Sequence, residues 1–418
     1  MAIESCFVFD CSHPEASIPI GRFGIDMHGN GRFEYGSQYL QTSRAFSLDP
    51  IHVPLQTPEI MIPRKGDGTY GVFSDACTNA WGAQLSIKLL RESQRRAPQN
   101  AVEWFLSSSN NGSGCLGFST DPSTPPQLNK DIQSSRALSA RALQEIEAYS
   151  ANPAVRINAE TAHLLLPGRS LGGTRPKTVV VHDDTEHIAK FSRQNDLFNM
   201  PAAEYATLRL ATKAGINVPN FELINIGDRS VLLVDRFDRV DGNRVHYASA
   251  HSFLDPKPLS ASGREYVTSF SYAGIAEVLR PYSADAYADA HELYRRMVFN
   301  IMVGNVDDHL RNHAFLMPQH GQYRLAPAFD IAPHIEASDR PQSIGVGEFG
   351  PASTIANALS QCSRFLLTQQ EARAIIIEVK NIISAWRDEF RDAGIAPRDI
   401  HMLAGCFSIA DEAVRFSY

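Results

Sequence analysis

The stretch that most constrains the fold of this chain is Gly304-Asn305-Val306-Asp307-Asp308-His309-Leu310-Arg311-Asn312. Residues 284–303 before it carry Leu293, Met297, Ile301 and Met302 at helical spacing, and Gly304-Asn305 makes a sensible helix C-terminus. After it, Ala314-Phe315-Leu316-Met317 and Tyr323-Arg324-Leu325 read as two strands around a Gln319-His320-Gly321 turn. The chain then returns to Ala326-Pro327-Ala328-Phe329-Asp330, which places Asp330 eighteen residues after Asn312. A helix, a polar loop, a hairpin and a second acid can mean two things. The Asp and Asn residues can simply cap turns, or they can bring two carboxylates and an amide to one reacting centre. The loop alone does not choose.

The totals set limits. With 418 residues a single core is not expected, because cores stop growing near ~250–300 residues. A 43% hydrophobic, 20% charged composition fits a globular protein. The net charge of −7 and pI near 6.1 argue against strong unaided nucleic-acid binding, which usually shows a basic surplus. Cys6, Cys11, Cys77, Cys115, Cys362 and Cys406 form no C-x-x-C pair, which argues against a zinc knuckle or disulfide framework and suits a reducing compartment. No basic leader begins the sequence and no apolar run reaches ~18 residues, so a cytoplasmic location is expected.

Residues 5–62 read as β-rich: Cys6-Phe7-Val8-Phe9, Ile18-Pro19-Ile20-Gly21-Arg22-Phe23 and the alternating Gly31-Arg32-Phe33-Glu34-Tyr35. Residues 84–96 have helical periodicity through Leu85, Leu89 and Leu90, with Asp75 or Thr78 as the expected cap. A Ser/Asn/Gly/Pro tract at 107–130 is the clearest break in composition. Residues 136–149 then read as a helix. Residues 338–360 read as irregular, and 368–387 and 397–414 as two further helices.

Ser170-Leu171-Gly172-Gly173-Thr174-Arg175-Pro176-Lys177 is a flexible turn that can wrap phosphates with backbone N–H groups or serve as a plain β-turn. Val179-Val180-Val181 and His187-Ile188-Ala189-Lys190-Phe191 read as paired strands, so Lys190 sits in an apolar strand where an ammonium needs a partner. Pro201 and Gly215 bracket a helix whose Glu204 can either pair that lysine or satisfy the helix dipole. Val231-Leu232-Leu233-Val234 runs into Asp235-Arg236-Phe237-Asp238-Arg239. Phosphoryl transfer from ATP needs a carboxylate that orients the accepting hydroxyl, plus an amide oxygen and a second carboxylate for Mg²⁺. Asp307, Asn312 and Asp330 are residues of those types in that order. The Asp-x-x-x-x-Asn spacing selects Asp307, with Asp308 expected to be a solvated neighbour. His309 and His313 have i, i+4 spacing, but suit bracing the loop better than holding zinc.

This ordered set resembles the HipA family, serine/threonine kinase toxins of bacterial HipBA toxin–antitoxin pairs, and the likeness extends to the N-terminal Asp75…Trp81-Gly82 segment. The resemblance implies an α+β, two-lobed protein-kinase-like fold. A HipA-like N-terminal subdomain would span 1–110, a β-rich kinase lobe 111–245 and a helical lobe 246–418. It implies Asp307 as catalytic base and Asn312 and Asp330 as Mg²⁺ ligands. Gly172, Gly173, Thr174, Arg175, Pro176 and Lys177 would cover the ATP phosphates and Lys190 would hold them. Asp235, Arg236 and Phe237 would lie at the adenine hinge, with His309 and Phe329 completing the nucleotide site. Ser170 would be an inactivating autophosphorylation site. The implied partners are a HipB-like antitoxin, operator DNA reached mainly through it, and an aminoacyl-tRNA synthetase as substrate, glutamyl-tRNA synthetase being the family's example. Position 235 is Asp where that family often has Glu, and residues 247–270 depart from its pattern. An antitoxin-binding corepressor and a small-molecule or lipid kinase are the alternative readings.

Overall fold

The computed structural model describes residues 3–77, 80–108, 111–128, 131–254, 270–335 and 341–408. Thr78, most of the divergent 247–270 segment and the end of the expected 397–414 helix lie outside them. The described chain divides into two compact units. Unit 1 comprises 1–195, 225–255 and 316–321; unit 2 comprises 196–224, 256–315 and 322–418.

Unit 1 begins with an antiparallel sheet of β1 (Ser5–Asp10), β2 (Ile18–Ile25), β3 (Gly31–Tyr35), β4 (Ile60–Ile62) and β5 (Leu116–Ser119), in the order β4-β3-β2-β1-β5. The alternation read from β3 is real: Phe33 and Tyr35 are buried and Arg32 and Glu34 exposed. Phe23 meets Phe73 at 4.9 Å and Phe105 at 5.2 Å between ring centroids, so the aromatics of sheet and short helices make one core. The helix expected at 84–96 runs Ala80–Glu92. Asp75 does not cap it: its carboxylate accepts from the Ser249 N–H and hydroxyl, both at 2.8 Å, and from the Ser252 hydroxyl at 2.7 Å.

A second antiparallel pairing joins β6 (Lys177–His182) and β7 (Thr185–Lys190). Both turn residues have positive φ, Asp183 at 46° and Asp184 at 64°, the conformation that a two-residue hairpin with the strands' own twist requires. β7 pairs in turn with the strand Arg229–Asp235.

Unit 2 is mainly helical. The helix expected at 284–303 is Ala286–Met302, because Asp285 accepts from the Ala288 N–H and sets its start. Leu293, Met297, Ile301 and Met302 are buried, as their spacing requires. Met200–Lys213 has Asn199 as N-cap, Pro201 in the first turn and Gly215 at φ 75° beyond its end. The single helix expected over 368–387 is two, Gln369–Ile383 and Trp386–Asp392. Ser384 ends the first, its hydroxyl bonding back to the Lys380 carbonyl at 2.8 Å. Trp386 then stacks on Phe407 at 4.0 Å. The stretch read as irregular carries a short helix, Ile355–Ser360, capped by Thr354. Among the described residues no helix is long and apolar enough to cross a membrane.

Candidate active site

Unit 1 holds the glycine turn and the strand lysine. A 3-10 turn, Leu166–Ser170, delivers the chain to Gly172-Gly173. Gly168 is needed there because a Cβ would lie 2.3 Å from the Lys177 carbonyl oxygen. Gly173 has φ +91°, open to glycine and strained for other residues. Trp81 donates its backbone N–H to the Gly173 carbonyl, and a Cβ on Gly82 would lie 1.9 Å from the Arg169 carbonyl oxygen. The start of the Ala80–Glu92 helix therefore packs directly on the turn. Lys177 donates from Nζ to the Gly172 carbonyl at 2.6 Å, and the Arg193 guanidinium donates to the Thr174 carbonyl. Gly172 and Thr174 are exposed, Gly173 and Arg175 half-exposed, and Pro176 buried. Ser170 is 0% exposed. Lys190 is half-buried and pairs in register with Lys177, so two lysines stand side by side at one end of the hairpin.

The segment read as a hinge differs from its expectation. Asp235 ends its strand opposite His187, whose Nε2 lies 2.6 Å from its Oδ1. Arg236 does not offer itself to a nucleotide. Its N–H donates to the Glu186 carbonyl, and its guanidinium is buried against the carbonyls of Asn111 and Gly112 and the carboxylate of Asp238. The Gly112 carbonyl also accepts from Arg239 at 3.0 Å and Arg244 at 3.2 Å. Gly112, within the polar tract at 107–130, is thus pinned by three arginines around its peptide carbonyl. Burial raises the Asp238 carboxyl's pKa, but the cations of Arg236 and Arg239 outweigh it and hold that carboxyl well below the usual range. Phe237 is half-exposed.

Unit 2 holds the polar loop. Gly304 turns it at φ +67°, and the Asn305 N–H returns to the Asn300 carbonyl at 2.9 Å. Asp307 is exposed and Asp308 is 3% exposed, which reverses the expectation of a solvated Asp308. Oδ2 of Asp308 accepts from the Tyr272 hydroxyl, from Asn300 Nδ2 at 2.7 Å and from His313 Nε2 at 2.9 Å. Burial raises its pKa, but the His313 and Tyr272 partners prevail and the net direction is downward. Burial and that anion together push the Tyr272 hydroxyl's pKa well up, so it stays a donor. A sequence signal for this arrangement existed: Asn300 is a polar residue within the apolar stripe of its helix.

Asn312 donates from Nδ2 to the Asp307 carbonyl at 3.3 Å, so its amide nitrogen faces the loop backbone and its side-chain oxygen is the atom that could accept a metal. Asp330 has φ +60°, a strained conformation for a residue with a side chain and one that concentrates at functional positions. Phe329 beside it is half-exposed. His309 is half-buried with Nδ1 lacking a hydrogen-bond partner, and Asn305 Oδ1 also lacks one. Hard oxygen donors, one amide and one carboxylate, fit Mg²⁺, which keeps several waters and takes few protein ligands. Among the described residues no group of three or more His, Cys, Asp or Glu is placed to hold a metal, and His313 faces Asp308. Each unit thus brings its own set together: Gly172 to Lys177 with Lys190 in one, Asp307 with Asn312 in the other.

A putative kinase of Haemophilus influenzae is 26% identical over 183 residues, covering 39% of this chain and 52% of the relative. The serine/threonine-protein kinase toxin HipA of Shewanella oneidensis is 27% identical over 222 residues, covering 46% of this chain and 50% of the relative. The chain spans about half the length of these curated relatives. In fold it matches a chain of the Shewanella oneidensis HipA, HipB and operator DNA complex with a TM-score of 0.68, at 16% identity and over 96% of both chains. The fold is the expected α+β, two-lobed kinase-like one. The family model of the HipA-like C-terminal domain matches residues 169–386, more than half of the 418, and the chain belongs to that family.

Proposed function

We propose that this chain is an ATP- and Mg²⁺-dependent protein serine/threonine kinase and the toxin of a type II toxin–antitoxin pair. The observation that carries the reading is the inside-out arrangement of the acidic pair: Asp307 faces solvent while its neighbour is locked inside and Asn312 is tied to its carbonyl. An exposed carboxylate on a pinned loop can accept the proton of an incoming hydroxyl. Asn312 and Asp330 would hold Mg²⁺, which neutralises charge on the transferring phosphoryl group. The turn Gly172 to Lys177, through the backbone N–H groups of its residues other than Pro176, and Lys190 would bind the phosphates. Asp235 and Phe237 remain the hinge residues of this reading, and His309 and Phe329 its remaining nucleotide contacts. The nucleotide-binding part would be residues 111–245, following an added subdomain at 1–110 and preceding the catalytic lobe at 246–418.

The substrate of this reading is a translation component, an aminoacyl-tRNA synthetase such as glutamyl-tRNA synthetase, whose phosphorylation arrests growth in the cytoplasm. A HipB-like antitoxin is the partner, supported by the fold match to a chain of a complex that contains HipB and operator DNA. Ser170 is the autophosphorylation site; being 0% exposed, it is modified only when the turn leaves its seat. A phosphate there adds about −1.5 to −2 charges and keeps the turn from re-seating. The deciding experiment is transfer from labelled ATP to purified synthetases by the wild type and Asp307→Gln. Transfer should fall by about 10²–10⁴-fold in the variant, with antitoxin and operator binding intact. A fully toxic Asp307→Gln would overturn the reading.

A further inference from the structure

The kinase reading assigns Asp307, Asn312 and Asp330 and leaves the buried Asp308 without a role. On that reading, we propose that Asp308 is a positioning residue whose carboxylate pins the 304–313 loop so that Asp307 faces outward and Asn312 keeps a fixed place. Three donors converge on one oxygen of Asp308, and they come from three parts of unit 2. Tyr272 opens the helix Tyr272–Leu279, Asn300 lies in Ala286–Met302, and His313 follows the loop's last turn, Leu310–Asn312. The first two fix the loop to its helical base. The third closes the loop on itself, because His313 is adjacent to Asn312.

A second layer repeats the pattern. Asn300 donates to Asp308 and accepts from Asn305 Nδ2 at 3.1 Å, so one side chain ties the loop's start to its buried carboxylate. Ser343 donates its N–H at 3.0 Å and its hydroxyl at 2.9 Å to the Val306 carbonyl, holding the residue before Asp307 from the other side. With 306 and 308 both anchored, the side chain of 307 is left facing solvent. An apolar residue at 308 would fill the space at a lower desolvation cost, but would offer no acceptor to three buried donors. The carboxylate is there for what it holds.

The test uses the full chain as wild type, Asp308→Ala, Asp308→Asn and Tyr272→Phe, with ATP turnover and amide hydrogen exchange of the 304–313 segment as readouts. For Asp308→Ala we expect kcat to fall about 30-fold or more with KM for ATP within about threefold, because the base is displaced while nucleotide binding is not. Asp308→Asn keeps one acceptor oxygen and should recover kcat to within about fivefold of wild type. Tyr272→Phe removes one donor from outside the loop and keeps the shape, so its smaller kcat loss gives a reading even if Asp308→Ala fails to fold. Exchange at 304–313 should quicken by about tenfold in Asp308→Ala while that at Gln369–Ile383 is unchanged. Wild-type kcat in Asp308→Ala and Tyr272→Phe, or unchanged loop exchange, would overturn the proposal. A wild type inert toward ATP would instead count against the kinase reading, and the exchange arm would still decide whether Asp308 pins the loop.

Discussion

Lys177 donates from Nζ to the carbonyl of Gly172 at 2.6 Å, so the lysine at the end of the glycine turn closes that turn on itself. Lys177 is 8% exposed, and its ammonium shapes the loop from within. Lys177→Met should open the turn and raise KM for ATP about tenfold, the equivalent of one charge-assisted hydrogen bond, with a smaller change in kcat. Gly173→Ala should cost about 1–2 kcal/mol in urea denaturation, since φ +91° is strained for alanine and the new Cβ would lie 2.6 Å from that Nζ.

Asp330 separates chemistry from backbone strain. Glycine tolerates φ +60° without a Cβ, so Asp330→Gly should unfold within about 1 kcal/mol of wild type while losing Mg²⁺-dependent ATP turnover by about 10²-fold or more. Asp330→Ala should be equally inactive but less stable than Asp330→Gly by about 1 kcal/mol. Denaturation curves and a Mg²⁺ titration of activity check both halves.

Arg236 should behave as a structural residue. Truncating it to alanine leaves Asp238 buried with fewer donors and removes the Arg236 donor from the Asn111 carbonyl, at a cost of about 3 kcal/mol or more by chemical denaturation. Arg236→Lys should not rescue it, because an ammonium cannot reproduce the planar fork that reaches Asp238 and two carbonyls together.

His246 gives a pH dependence with a definite sign. It is 2% exposed and its Nε2–H donates to the Leu48 carbonyl at 2.8 Å. Burial lowers its pKa from 6.5 to about 4. Between those values the unfolded chain binds a proton that the folded chain excludes, so stability rises with pH across the window and levels off below about 4. Its contribution is about 3 kcal/mol in total. Denaturation between pH 4 and 6.5 should show a shallower slope in His246→Gln than in wild type.

Much of the fold was legible locally. The alternation of β3, the inward stripe of Ala286–Met302 and the Pro201…Gly215 bracket are short-range patterns, and each became the element that its period implied. The misreadings share one cause. Asp75 reads as a helix cap and Asp308 as solvated, because residue type and spacing do not show which donors fold around each carboxylate. Their partners are Ser249 and Ser252 for Asp75, and Tyr272, Asn300 and His313 for Asp308.

By itself, then, the sequence determined the order of elements and the kinds of group available: a glycine turn, a strand lysine, an Asp-x-x-x-x-Asn loop and a later acid. Spacing and residue type are local properties, and periodicity reports them. Which of two adjacent aspartates faces solvent was decided only by tertiary structure. A carboxylate enters a protein interior when enough donors converge to replace its lost water, and residue spacing does not show that Tyr272, Asn300 and His313 converge on one oxygen. Asp308 found three of them, and Asp307 was left outside.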